Sequence, residues 1–192
     1  MSGSRIGGAG TIFMRPAGYS YGTLIVDNDG KVAAAGSTVL TSVGTGLGTS
    51  VTATTLTDAA QAWYGPDYYA GTYFRANVAA SATPTLDDDV ISRVSANTTT
   101  VLTSADLPAG LTAGKTYRGI VALDQLEVRG GAQVVIAGDL IVYNGDAAMA
   151  AQLAVEDGSS LTVSHQLEVD GVSQASITGT VSANPLVCTD CP

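Results

Sequence analysis

The sequence predicts an all-β protein, a right-handed parallel β-helix of short three-strand coils with a small antiparallel β module inserted into it. Three observations predict it. The C-terminal third repeats in steps of about seven residues. Charged residues make up only 13% of the chain, against about 25% in an average domain. Aromatic side chains crowd into one short mid-chain stretch.

The repeat comes first. Leucines fall at 126, 140, 153 and 167, and each is followed two residues later by Val128, Val142, Val155 or Val169. Between them lie Val134 and Ile136, Ala148 and Ala150, Leu161 and Val163, and Ala175 and Ile177. Alternation marks strands, and Gly, Asn or Asp at most step boundaries marks turns. A fixed short repeat is the signature of a solenoid. Three steps make a coil of about 21 residues, the perimeter of a triangular β-helix with Leu and Val inward. A meander of hairpins is the competing reading, because Arg129-Gly130-Gly131 and Asp157-Gly158 also suit hairpin turns. Val135, Ile141 and Tyr143 are apolar at outward positions, so a small patch there requires a cover.

The rest of the chain is divided accordingly. Residues 1–46 supply opening strands or coils, with strands expected at Thr11–Arg15 and Thr23–Asp27 and a turn at Asp27-Asn28-Asp29-Gly30 leading to Lys31–Ala35. Residues 47–118 form the inserted, β-sandwich-like module. It contains Trp63, Tyr64, Tyr68, Tyr69, Tyr73 and Phe74, a hairpin around Ala96-Asn97, and ends expected to meet near Gly48 and Arg118. Residues 119–187 are the coils, and 188–192 a Cys-containing tail.

Composition excludes several functions. The net charge of −9 offers no basic face for nucleic acid and disfavours anionic membranes. No run of 18 apolar residues is present, so membrane insertion is not expected. The start, MSGSRIGGAG, lacks an apolar signal core and reads as a mature form or a segment of something longer. Cys188 and Cys191 have C-x-x-C spacing without the further ligands that zinc requires. They read as a disulfide, local or to a neighbouring subunit, with free thiols or a shared metal site as alternatives.

Two stretches resemble modules of large secreted, repeat-rich bacterial cell-surface proteins. GGAGTIFMRPAGYSYGTLIVDNDGK is similar to one such module. LTDAAQAWYGPDYYAGTYFRAN with RVSANTTTVLTSADLP is similar to another, and the steps at 124 to 178 resemble β-helical stalks of adhesins and autotransporter passengers. The resemblance implies an extracellular structural protein of the bacterial surface with no catalytic residues to carry over. Asp87–Asp89 and the CTDCP ending depart from it.

Candidate chemistry is sparse. Asp87, Asp88 and Asp89 offer hard oxygen ligands for calcium but lack a calcium-loop pattern, so a solvated loop tip is the simpler reading and no metal is expected. Glu127 and Glu168 fall on equivalent outward steps and would be the carboxylate pair of a β-helical polysaccharide lyase or hydrolase. From residue 121 onward there is one base, Arg129, and one aromatic, Tyr143, where a sugar cleft usually offers more of both. His165 reads as a polar corner residue. Trp63, Tyr64, Tyr68 and Tyr69 are the candidate binding residues, with Trp63 as core anchor and some tyrosines outward.

The expectation is therefore a non-enzymatic, self-assembling filament subunit or adhesin stalk segment, without cofactor. Its partners are copies of itself and surface glycans. A carbohydrate-binding module is the alternative.

Overall fold

The computed structural model describes residues 10–17, 19–30, 37–76, 91–143, 151–155, 157, 160–163, 167–170, 172–183 and 186–189. Among these residues every regular element is a strand, and the strands form several sheets. In chain order they are β1 (Gly10–Met14), β2 (Thr23–Asp27), β3 (Thr38–Thr41), β4 (Thr45–Leu47), β5 (Ser50–Val51), β6 (Thr55–Thr57) and β7 (Tyr73–Ala76). Then come β8 (Ile91–Arg93), β9 (Ala96–Asn97), β10 (Val101–Thr103), β11 (Thr116–Leu123), β12 (Gln125–Arg129), β13 (Gln133–Ala137) and β14 (Asp139–Tyr143). The last six are β15 (Ala151–Val155), β16 (Ser160–Val163), β17 (Leu167–Asp170), β18 (Val172–Ile177), β19 (Thr180–Ser182) and β20 (Leu186–Thr189). The chain divides into two compact units, Met1–Leu40 with Ala122–Pro192, and Thr41–Val121.

In the first unit, alternation writes the sheets directly. Leu126, Val128, Val134, Ile136, Leu140 and Val142 are all buried, and so are Leu153, Val155, Leu161, Val163, Leu167 and Val169. Every ladder among β12 to β20 whose register is resolved is parallel: β12 with β15, β13 with β16, β14 with β17, and these with β18, β19 and β20. The hairpin meander is thereby overturned for these strands. Gly130 and Gly131, at φ 62° and 75°, do make a tight turn. It connects β12 to β13, which belong to different sheets.

The expected coil of about 21 residues needs correction. Leu126 aligns with Leu153, and Leu140 with Leu167, so the first offset is 27 positions. Leucines that follow each other in sequence do not stack; alternate ones do. The fourth seven-residue step, Gly145 to Ala151, falls largely on residues outside those described. Afterwards the offset shortens to 22 (Gln152 to Gln174), 20 (Leu161 to Val181) and 19 (Leu167 to Leu186).

The N-terminal strands join the same stack. Strand β2 lies parallel to β12, with Leu24 beside Leu126 and Val26 beside Val128. Strand β1 closes that sheet as an antiparallel edge. The join is fastened by Asp124, which is wholly buried. Its carboxylate accepts the backbone N–H groups of Ser20 (3.3 Å), Tyr21 (2.7 Å) and Gly22. Its own N–H donates back to the Gly22 carbonyl at 2.9 Å. Gly22 has φ 104°, and a Cβ there would strike the Met14 carbonyl and the Phe13 ring, so only glycine fits.

The second unit is antiparallel throughout its resolved pairings: β5 with β6, β6 with β10 and β10 with β9, and β4 with β11, β11 with β7 and β7 with β8. Gly48 donates to the Lys115 carbonyl at 2.9 Å, and Thr45 lies opposite Arg118. Its core contains Val43, Leu56, Trp63, Tyr69, Phe74, Val94, Leu102 and Tyr117. Ala96-Asn97, expected as a turn, is the strand β9; the turn follows it, with Thr98 donating to the Val101 carbonyl at 2.9 Å. Ile141, expected on an outward patch, is fully buried, while Val135 and Tyr143 are half-buried. The expected strand at Lys31–Ala35 lies outside the described residues.

Candidate binding site

The aromatic stretch does not form the two strands that its sequence invites. Residues 58–72 make an irregular loop between β6 and β7. A loop this long must still satisfy its backbone polar groups; the Trp63 backbone N–H bonds the Thr99 carbonyl and the Gly71 N–H that of Val94, and two polar side chains take several of the others.

Asp58 anchors its start. The side chain is buried, and it accepts the N–H groups of Ala60 (2.9 Å) and Leu47 (3.1 Å) and the Tyr117 hydroxyl (2.9 Å). Burial, and then the bond to Asp58, push the Tyr117 phenol well above its usual 10.0. Trp63 follows, 5% exposed, with its indole N–H on the Val43 carbonyl at 2.8 Å and its ring 6.0 Å from that of Tyr117. Each polar end of these aromatics therefore has a partner inside the core, as buried Trp and Tyr require.

Asn97 anchors the second half of the loop. Its side-chain amide donates to the carbonyls of Tyr64 (2.7 Å) and Thr98 (2.9 Å), and its side-chain oxygen accepts the Tyr69 N–H (2.8 Å). Its backbone carbonyl accepts the Asp67 N–H at 2.9 Å, and its own N–H reaches the Asp67 carboxylate at 3.2 Å. The strand β9 thus grips both sides of the Gly65-Pro66-Asp67 bend, where Gly65-Pro66 is cis and Asp67 has φ 59°.

The four candidate residues separate into two pairs. Trp63 and Tyr69 are buried, at 5% and 8% exposure. Tyr64 and Tyr68 stand in solvent at 71% and 58%. Their ring centres are 5.2 Å apart with planes tilted by 50°, and Tyr68 meets Tyr69 edge-on at 4.9 Å. Burial raises the Tyr69 phenol above 10.0, with Tyr68 and Tyr64 adding to the effect. Asn97 was expected only as a turn residue and Asp58 was given no role, because a buried clamp and an ordinary turn residue carry the same letters.

The other candidates are not assembled. Glu127 lies in β12 beside Ile25 and Ala154, whereas Glu168 lies in β17 beside Ile141 and Val187. The two carboxylates belong to different sheets, which corrects their expected stacking. Glu127 instead accepts an Arg129 N–H at 2.8 Å, and Arg129 also bonds Asp27 at 2.7 Å. The Asp29 N–H, and then Arg129, hold the Asp27 carboxyl below its usual 3.8. Asp87, Asp88, Asp89, His165 and Cys191 lie outside the described residues, as does the Cys188 side chain, and the calcium and disulfide readings with them. Among the described residues no group of three or more His, Cys, Asp or Glu is placed to hold a metal. No helix among them is long and apolar enough to cross a membrane. Comparison with family models, curated proteins and solved structures finds no match.

Proposed function

We propose that this chain is a structural, non-enzymatic protein of a bacterial cell surface, a filament subunit or stalk segment built on a right-handed parallel β-helix. Parallel neighbours joined by short segments need a crossover, and crossovers are overwhelmingly right-handed. Three parallel ladders sharing one Leu/Val/Ile interior are what such a coil requires. The extracellular setting rests on the resemblance to repeat-rich surface proteins and on the weakly charged composition.

One observation carries the assembly reading: among the described residues, apolar side chains stand exposed on both outermost strands of the five-stranded sheet. In the five-stranded sheet the row runs from Phe13 through Leu24, Leu126 and Leu153, with Val26, Val128, Val155 and Ile177 in the row beside it. Phe13, at one edge, is 58% exposed, and Ile177, at the other, 46%. The row of Leu140 and Leu167 ends on Leu186, 60% exposed. Open strand edges flanked by bare apolar side chains favour addition of another strand. End-to-end joining of copies, or continuation into neighbouring segments of a longer stalk, satisfies both ends.

Negative-stain microscopy of the purified chain tests this. Rods or fibres that shorten in a Phe13→Lys, Ile177→Lys double variant are expected. Compact monomers at every concentration, unchanged by those substitutions, would overturn self-assembly.

A further inference from the structure

We propose that Tyr64 and Tyr68 form a binding site for a neutral glycan, with a pyranose ring stacked on one phenol face and the second ring serving as a side wall. This site belongs to the Thr41–Val121 unit and does not depend on the assembly reading.

Four observations converge. The two largest exposed aromatic side chains of the loop sit together, at 71% and 58% exposure with ring centres 5.2 Å apart. Neither belongs to the buried core, which contains Trp63, Tyr69, Phe74 and Tyr117, although the Tyr68 ring rests edge-on against Tyr69. Adjacent exposed aromatics are a recognition feature rather than a packing one.

The loop that carries them is held in place. Asn97, only 2% exposed, bonds the Tyr64 carbonyl, the Tyr69 N–H and the Asp67 N–H and carboxylate. A tyrosine fixed before binding loses little conformational entropy when a ligand arrives. Asn97 is thus a positioning residue.

Size then selects the ligand. A tyrosine offers about 150–250 Å² of contact area, so the pair presents far less than the roughly 800 Å² per partner of a stable protein interface. It matches one or two sugar rings. The 50° tilt between the rings opens a wedge rather than a flat platform, and the aliphatic C–H face of a pyranose fits one wall of it. Charge narrows the class further. Asp67 is the single charged residue from 59 to 72, and the chain carries −9 overall. Arg93 reaches the loop beside Gly71, so this acid and base offset one another and the two phenol faces favour a neutral sugar.

The test is calorimetric titration of the intact chain with soluble oligomers of β-1,4-linked glucose, β-1,4-linked N-acetylglucosamine and α-1,4-linked glucose. At least one is expected to bind saturably. Tyr64→Ala and Tyr68→Ala should each weaken that binding about tenfold, as truncation of an aromatic contact does. Tyr64→Phe should retain it. An unchanged thermal midpoint and Trp63 emission serve as fold controls, and fibre formation should be unaffected in the Tyr64→Ala, Tyr68→Ala double variant. Absence of binding to all three oligomers, or binding that survives the double variant, would overturn the proposal while leaving the assembly reading intact.

Discussion

Buried carboxylates and one buried amide organise the irregular parts of this protein. Asp124 satisfies three backbone N–H groups of the segment entering β2. Asp124→Ala leaves the buried Gly22 N–H without an acceptor and returns those of Ser20 and Tyr21 to solvent, at a cost of about 1–3 kcal/mol; chemical denaturation is expected to show a loss in that range. Asn97→Asp exchanges an amide that donates to two carbonyls for a carboxylate that repels them. A loss of similar size is expected, together with a more mobile Tyr64 in ring NMR spectra. Gly46 faces the Asp58–Tyr117 pair so closely that a Cβ would collide with both. Gly46→Ala should therefore destabilise the second unit more than Tyr117→Phe, which removes one hydrogen bond and leaves the packing.

The pH dependence has two separate arms. The Asp27 value is depressed, so its contribution is fully present above 3.8 and disappears as pH falls through the lower folded value. A melting series in acid should fall less steeply for Asp27→Asn than for the native chain. The Tyr117 value is raised, so its contribution is fully present below 10.0 and disappears as pH rises toward the higher folded value. Alkaline melting should flatten in Tyr117→Phe.

Strands show how far the sequence could be read. A period of two with Gly or Asp at the boundaries specifies a strand almost by itself, so β2, β12, β13 and β14 were recognisable residue by residue. Leucine spacings of 14, 13 and 14 specified the steps but not the turn length of the stack. Whether Leu126 meets Leu140 or Leu153 depends on how many steps fill one circuit, and no local pattern records that number. The aromatic loop failed for a different reason. Tyr and Trp favour strands, yet Trp63 and Tyr69 are drawn into the core from an irregular backbone, where the Trp63 N–H bonds the Thr99 carbonyl and the Tyr69 N–H the Asn97 side chain. Composition located the candidate site; only the fold divided its four aromatics into two buried anchors and two exposed rings. Within a strand, Leu153 aligns with Leu126 and is 1% exposed. Leu153→Ala should cost about 2–5 kcal/mol in a rigid interior that cannot close the cavity.

At the scale of the molecule, each unit has its own buried interior. The Thr41–Val121 unit holds a complete set of aromatic and aliphatic core residues and joins its own ends through Gly48 and Lys115. Expressed alone, 41–121 is expected to unfold cooperatively with Trp63 emission as blue-shifted as in the full chain. A red-shifted, non-cooperative melt would show that the unit needs the rest of the protein.

Strands β2 and β12 lie in register although Thr23 and its neighbour Gln125 are 102 positions apart in the chain. The register of that pair requires only that the chain return one strand spacing away, about 4.8 Å. Changes of loop length within residues 41–121 are therefore expected to leave Leu24 beside Leu126.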